Sequence, residues 1–216
     1  MLPYPWCLIN EKKFGVFNTK TAPLYISCAT GSGYESEFTA PAQEYQKFLD
    51  KTLSKHGKEM AVSGYLENRY SLLKDIPQMA QEARYYHLGV DIWAKVGTKL
   101  HCPYDCEVVV AEYEEGIGNY GGFCVIKVCL NGTMFYILFG HLNPNTLPKV
   151  GTKLKVGQIF AEIGDYHENG GWTWHLHLQV LTEKGFSDGW IHKGYCAEKD
   201  LSNIQFLCPD PSFILI

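Results

Sequence analysis

Four runs in the second half of the chain constrain its fold more than any other feature. They are CEVVVAEY (106–113), FCVIKVCL (123–130), MFYILFGHL (134–142) and WHLHLQVL (174–181). Each is rich in β-branched and aromatic residues, and Gly, Asn and Pro turns separate them, so they read as strands. Asn131-Gly132 sits between two of them, and that dipeptide suits a type I′ hairpin turn, which needs positive φ at both central residues. KVGTKL occurs twice, at 95–100 and 149–154, as expected when one turn-into-strand unit serves both halves of a sheet. No long helical period interrupts this region. The fold class expected is mainly β: an antiparallel, sandwich-like sheet domain over residues 81–185.

The preceding segment, 1–80, reads as a mixed α+β extension or small lobe, and 186–216 as a tail packed on the domain. KKFGVFN (12–18) and APLYISC (22–28) alternate like strands. Between Pro41 and His56, Tyr45, Phe48, Leu49 and Leu53 recur at helical spacing, which predicts an amphipathic helix. A shorter helix is expected within 70–83.

Bulk charge excludes some functions. The 216 residues carry 19 Lys and Arg against 23 Asp and Glu, a net charge of −4, so no nucleic-acid partner is expected. No apolar run reaches the roughly 18 residues of a membrane span. Met1–Asn10 lacks the basic and apolar regions of a signal peptide, so a cytoplasmic location is expected, with export by an unrecognised route as the alternative. The eight cysteines are then expected to be mostly free thiols. Cys124 and Cys129 would face opposite sides of one strand. Cys102 and Cys106 bracket a turn and are better placed for a disulfide or a soft metal site. A monomer is expected.

Three segments carry candidate chemistry. On a strand, WTWHLHLQV (172–180) places Trp174, Leu176, Leu178 and Val180 on one face and His175, His177 and Gln179 on the other. Two imidazoles about 7 Å apart then share a polar face, so one could ligate a metal while its neighbour reaches a bound water. HLGVD supplies His87 and Asp91, both good zinc ligands, although positions four apart in a straight strand lie roughly 13 Å apart. A bend is required, and Gly89 is placed to supply one. The third segment, GHLN, puts His141 at the exit of an apolar run. Two histidines and one carboxylate match the three protein ligands of a catalytic zinc site, and two further histidines remain for proton transfer.

HLGVD, FGHLN and HLHLQ, in that order, resemble the lysostaphin/LytM-type zinc endopeptidases, which cut peptide cross-links in bacterial cell walls. VGTKLHCPYDCEVV and VGTKLKVGQIFAEIGD resemble the family's connecting segments, so the likeness covers about residues 84–182; the family usually has Gly where Cys106 stands. The resemblance implies zinc held by His87, Asp91 and His177. It makes His141 and His175 the unliganded active-site pair, and a peptide or peptidoglycan cross-bridge the substrate. Two alternatives come with it: a zinc amide hydrolase acting on a cytosolic, non-wall peptide, and a non-catalytic module of the same fold.

Overall fold

The computed structural model describes residues 16–17 and 22–215. Of the strand expected over 12–18, Val16 and Phe17 are described and form a bend; the rest, like Met1–Asn10, lies outside the described residues. The strands are β1 (Leu24–Tyr25), β2 (Ala61–Val62), β3 (Arg84–His87), β4 (Val90–Trp93), β5 (Lys99–His101) and β6 (Cys106–Glu114), followed by β7 (Gly121–Leu130), β8 (Thr133–Leu142), β9 (Lys153–Leu154), β10 (Ile159–Glu162), β11 (His175–Leu181) and β12 (Tyr195–Ala197). The helices are α1 (Glu35–Phe38), α2 (Ala42–His56), α3 (Tyr70–Leu73), α4 (Pro77–Glu82) and α5 (Glu183–Ser187). Among the described residues no helix is long and apolar enough to cross a membrane.

Eight strands form one sheet in the order β1-β2-β4-β11-β8-β7-β6-β9, and all neighbours are antiparallel except β1 and β2. Two small sheets, β5 with β10 and β3 with β12, flank it. The chain is thus mainly β, as its alternating runs require. The β7–β8 hairpin turns through Asn131 at φ 51° and Gly132 at φ 79°, the pair of positive values a type I′ turn needs. Both KVGTKL copies form the same turn, with Thr98 N donating to Lys95 O and Thr152 N to Lys149 O at 3.1 Å each, and they lead into β5 and β9.

The alternation read in β11 places its two faces differently. Leu176, Leu178 and Val180 enter the main core beside Val90, Ile92, Ile126, Ile137 and Phe139. The opposite face is buried as well: His175, His177 and Gln179 are covered. α2 packs Tyr45, Leu49 and Leu53 around Trp93 on one flank of this face, and Phe186, Trp190, Ile204 and Cys208 join Leu138 and Leu181 on the other. The helix expected within 70–83 is two helices. Pro77 has no amide hydrogen for an interior helical bond, so it opens α4 instead of continuing α3. The seven cysteines among the described residues are thiols; Cys124 is buried and Cys129 exposed, on opposite faces of β7. Cys102 and Cys106 bring their sulfurs to 3.0 Å across the CPYDC turn.

Phe139 is fully buried and meets Phe160 edge to face at 5.0 Å between centroids. Phe139→Ala is expected to lower the unfolding free energy by about 3–5 kcal/mol in urea titrations, with an unchanged denaturant slope.

Candidate metal centre

Sheet register does most of the positioning. β11 runs antiparallel to β4 with His177 opposite Asp91 and His175 opposite Trp93, so the first pair shares a face at cross-strand distance. The chain bends at Leu88-Gly89 between β3 and β4, and this returns His87 over Asp91 with Nε2 3.3 Å from Oδ1. The bend takes the place of the long separation a straight strand would impose. Gly89 serves a different purpose from the one its sequence position suggests. Its φ is not in the left-handed region, but a Cβ there would lie 2.6 Å from Leu178 O and 2.7 Å from His177 Cε1. It is needed for close approach.

The ligand atoms of His87, Asp91 and His177 lie within 4.8 Å of one another, and all three residues are buried. His87 Nε2 is 3.0 Å from His177 Nδ1, and Asp91 Oδ1 is 3.2 Å from the latter. The outer nitrogens settle the tautomers. His177 Nε2 donates to Gln179 Oε1 at 3.0 Å, and His87 Nδ1 faces Gly64 O at 3.5 Å. In neutral rings the two inner nitrogens therefore carry lone pairs, which point at each other and at a carboxylate oxygen. Such a cluster repels itself unless a cation sits among the three atoms, so this donor set fits a metal.

Asp91 divides its oxygens. Oδ1 faces His87, His177 and, at 3.6 Å, His175 Nε2; Oδ2 accepts from Arg69 Nη1 at 2.6 Å. Arg69 is itself among the largest fully buried side chains. Its remaining donors go to Glu67 Oε2, to Ser63 Oγ at 2.7 Å and to Tyr195 OH at 3.3 Å. The sequence reading missed all four residues. Their spacing matches no ligand pattern, and an arginine within GYLENRY carries no sign that it is buried.

His141 and His175 stand beside the cluster, their rings 4.3 Å apart. His175 Nδ1 donates to Thr173 O at 2.6 Å. His141 Nδ1 lies 3.0 Å from Tyr120 O and 2.9 Å from Asn169 O. Carbonyls accept only, so each ring carries its proton on Nδ1 and presents a basic Nε2. His141 holds φ at 65°, a costly region for a non-glycine residue, and the Tyr120 carbonyl that receives its ring also receives its backbone N–H. Of the remaining histidines, His56 and His167 are exposed and His101 Nδ1 donates to Gly157 O at 3.1 Å, away from the centre. His192 lies nearer, at the rim of a cavity that His141 and His177 also line.

Two cavities meet at these residues. The wider, about 390 Å³, is lined by Asp91, His175, Trp93 and Trp172. The narrower, about 40 Å³, is lined by His141, His177, Arg84 and Trp172. A third of about 550 Å³, between α2 and Lys95–Thr98, touches none of the five site residues.

Burial dominates the electrostatics. It holds the His87 imidazole down to about 3, helped by Arg69, and the same cause keeps His141 and His175 below the usual histidine range. Burial alone would raise the Asp91 carboxyl, but His87 and the Arg69 guanidinium outweigh it and hold it well below the carboxylate range. The three imidazoles are neutral in the fold and protonate in the unfolded chain below about pH 6.5. The unfolded state then binds more protons, so their contribution to stability is complete above that pH and is lost as pH falls. The unfolding free energy of the metal-free protein should therefore fall from pH 6.5 toward pH 5 in urea titrations, by about 1.4 kcal/mol per pH unit for each imidazole that stays neutral in the fold.

Arg69→Met should leave Asp91 and Glu67 buried without their cation and destabilise the metal-free protein by about 3–5 kcal/mol. Freed from one anchor, Asp91 should also bind metal about 10–100-fold more weakly in chelator competition.

Comparison with known proteins places this geometry. Residues 85–188, which include all five site residues, match the profile of Peptidase family M23. Among solved structures, a zinc containing peptidase from Vibrio cholerae is 28% identical, with 45% of this chain and 27% of that chain covered and a TM-score of 0.38. The catalytic domain of the antimicrobial peptidase lysostaphin from Staphylococcus simulans is 25% identical, with 45% and 68% covered and a TM-score of 0.38. This chain thus spans about a quarter of the Vibrio cholerae peptidase. Over residues 85–188, just under half of its length, the chain is similar to Peptidase family M23.

Proposed function

We propose that the protein is a zinc-dependent peptidase that hydrolyses a peptide bond by activating water, with peptidoglycan cross-link peptides as its substrate class. The observation that carries this reading is the convergence of His87 Nε2, Asp91 Oδ1 and His177 Nδ1, with two further buried imidazoles alongside. The match of residues 85–188 to Peptidase family M23 supports the peptide bond as target, and the likeness of the three motifs to those of wall-cutting endopeptidases supports the wall peptide.

Three protein ligands leave a tetrahedral ion one open position. Zinc bound there would supply Lewis acidity toward a carbonyl and lower the pKa of water. The chain's own residues do the rest. Gln179 and Gly64 O hold the ligating rings in the tautomer that turns a lone pair inward. His141 and His175 each offer a basic Nε2, so one can take a proton from the attacking water. Once protonated, an Nε2–H can deliver that proton to the leaving amine or donate to the developing oxyanion. The Thr173, Tyr120 and Asn169 carbonyls keep the positive charge favourable at Nδ1 throughout.

Elemental analysis of the dialysed protein should find one zinc per chain, and His177→Ala should lose it. His141→Ala and His175→Ala should retain zinc and lower kcat by about 10²–10⁴ on wall peptides, with product masses read by mass spectrometry. Full zinc occupancy in His177→Ala would overturn the ligand set. A zinc-loaded parent inert on wall peptides and active on other short peptides would move the substrate away from the wall.

A further inference from the structure

The two arms of the cleft differ in size and charge. The wide arm, about 390 Å³, falls within the volume range of ligand pockets. The narrow arm, about 40 Å³, has room for a few atoms beyond the reacting bond. The wide arm contains Arg69, but that guanidinium is consumed by Asp91, Glu67 and Ser63. Its outer rim carries Asp75, an exposed carboxylate with no ion pair among the described residues. Arg84 lines the narrow arm together with His141 and His177.

Arg84 is incompletely satisfied. Its Nε is buried and makes no hydrogen bond, although Glu82 Oε2 lies 3.1 Å away, off the N–H axis. Its Nη2 reaches Gln78 O at a long 3.3 Å. Glu82 is 53% exposed and also lies 3.6 Å from Lys193 Nζ, so it is shared and solvated. The guanidinium side chain itself is 11% exposed. A nearly buried cation with an idle donor, lining a cavity this small, is matched by a carboxylate. Asp75 disfavours the opposite orientation, because it would repel a carboxylate at the wide mouth.

We propose that the site releases a single small residue from the carboxyl end of a peptide, with Arg84 receiving the terminal carboxylate; this rests on the peptidase reading above. The last C–N bond breaks, the oxygen of water joins the acyl carbon, and the leaving amine takes up a proton. The products are the shortened peptide and one free amino acid, and the narrow arm limits that residue to the size of glycine or alanine. Arg84 binds substrate and takes no part in proton transfer.

The test compares the zinc-loaded protein on N-acetyl-Ala-Gly-Gly, its C-terminal amide, and a longer peptide with the Gly-Gly bond six residues from its end. Glycine removes any choice of stereochemistry. The free acid should be cleaved with kcat/KM about 10–100-fold above both others, releasing glycine by mass spectrometry. Arg84→Gln should bring the acid-to-amide ratio close to one, mainly through a higher KM for the acid, and Arg84→Lys should retain part of the preference. Zinc stoichiometry and melting temperature report whether the variants are folded, and the Lys variant decides the question if the Gln variant is not. Equal rates on acid and amide, internal cleavage as fast as terminal cleavage, or a ratio unchanged in Arg84→Gln would each overturn the proposal and leave the peptidase reading standing. A zinc-loaded protein that cleaves none of the three, nor wall peptides, would sink that reading and this proposal with it.

Discussion

The ion pair between Arg69 and Asp91 is the interaction on which the centre depends. One carboxylate serves two tasks through two oxygens: Oδ2 is fixed by a guanidinium 2.6 Å away, and Oδ1 is thereby turned toward three imidazoles. An anion this deeply buried is sustained by a partner of opposite charge, and an arginine this deeply buried needs the same. Glu67, Ser63 and Tyr195 complete the guanidinium's hydrogen bonds, so the charge is shared over a network instead of one contact. These partners come from 63–69 and from 195, both outside the segment matched to the peptidase family. The flanking chain therefore helps to build the candidate site. Strands β1 and β2 extend the same sheet that carries Asp91 and His177.

β11 ties the site to the core. Its period of two sends Leu176, Leu178 and Val180 into the core and His175, His177 and Gln179 into the site. A slip of one residue would exchange the two sets, so core burial enforces the register of the ligands. The cost of burying the polar set is met locally, since each ring has an acceptor: Gln179 for His177 and Thr173 O for His175. His141 is held otherwise, at positive φ, by carbonyls from two loops. Strain of that kind persists when the surroundings over-determine it, and here three hydrogen bonds onto one residue do so.

The cleft inherits its asymmetry from the same flanking segments. α1, the start of α2 and the α3–α4 turn shape the wide arm, while Arg84 and Gly194 line the narrow one. Trp172 lines both, at the boundary where the ligands lie. A wall of this kind shapes what can enter the cleft separately from the residues that gather at the candidate metal centre.

Much was legible in the residues alone. The strand runs, the Asn131-Gly132 hairpin, the repeated KVGTKL turn and the shared face of His175 and His177 all follow from rules that span a few residues, and local steric preferences are written locally. HLGVD, FGHLN and HLHLQ, in that order, resemble a known zinc endopeptidase family, and it is that resemblance that named His87, Asp91 and His177 together. Tertiary structure decided what depends on distant segments meeting. The β3–β4 bend and the β4–β11 register bring His87, Asp91 and His177 together, and Gly89 is required by the approach of Leu178 and His177, not by its own turn. Arg69 and Asp91 are 22 positions apart, and Arg69 and Tyr195 are 126 apart. No periodicity connects such residues, and a buried arginine is written in the sequence with the same letter as an exposed one. Its partners, its burial and its role exist once the sheet has closed around it.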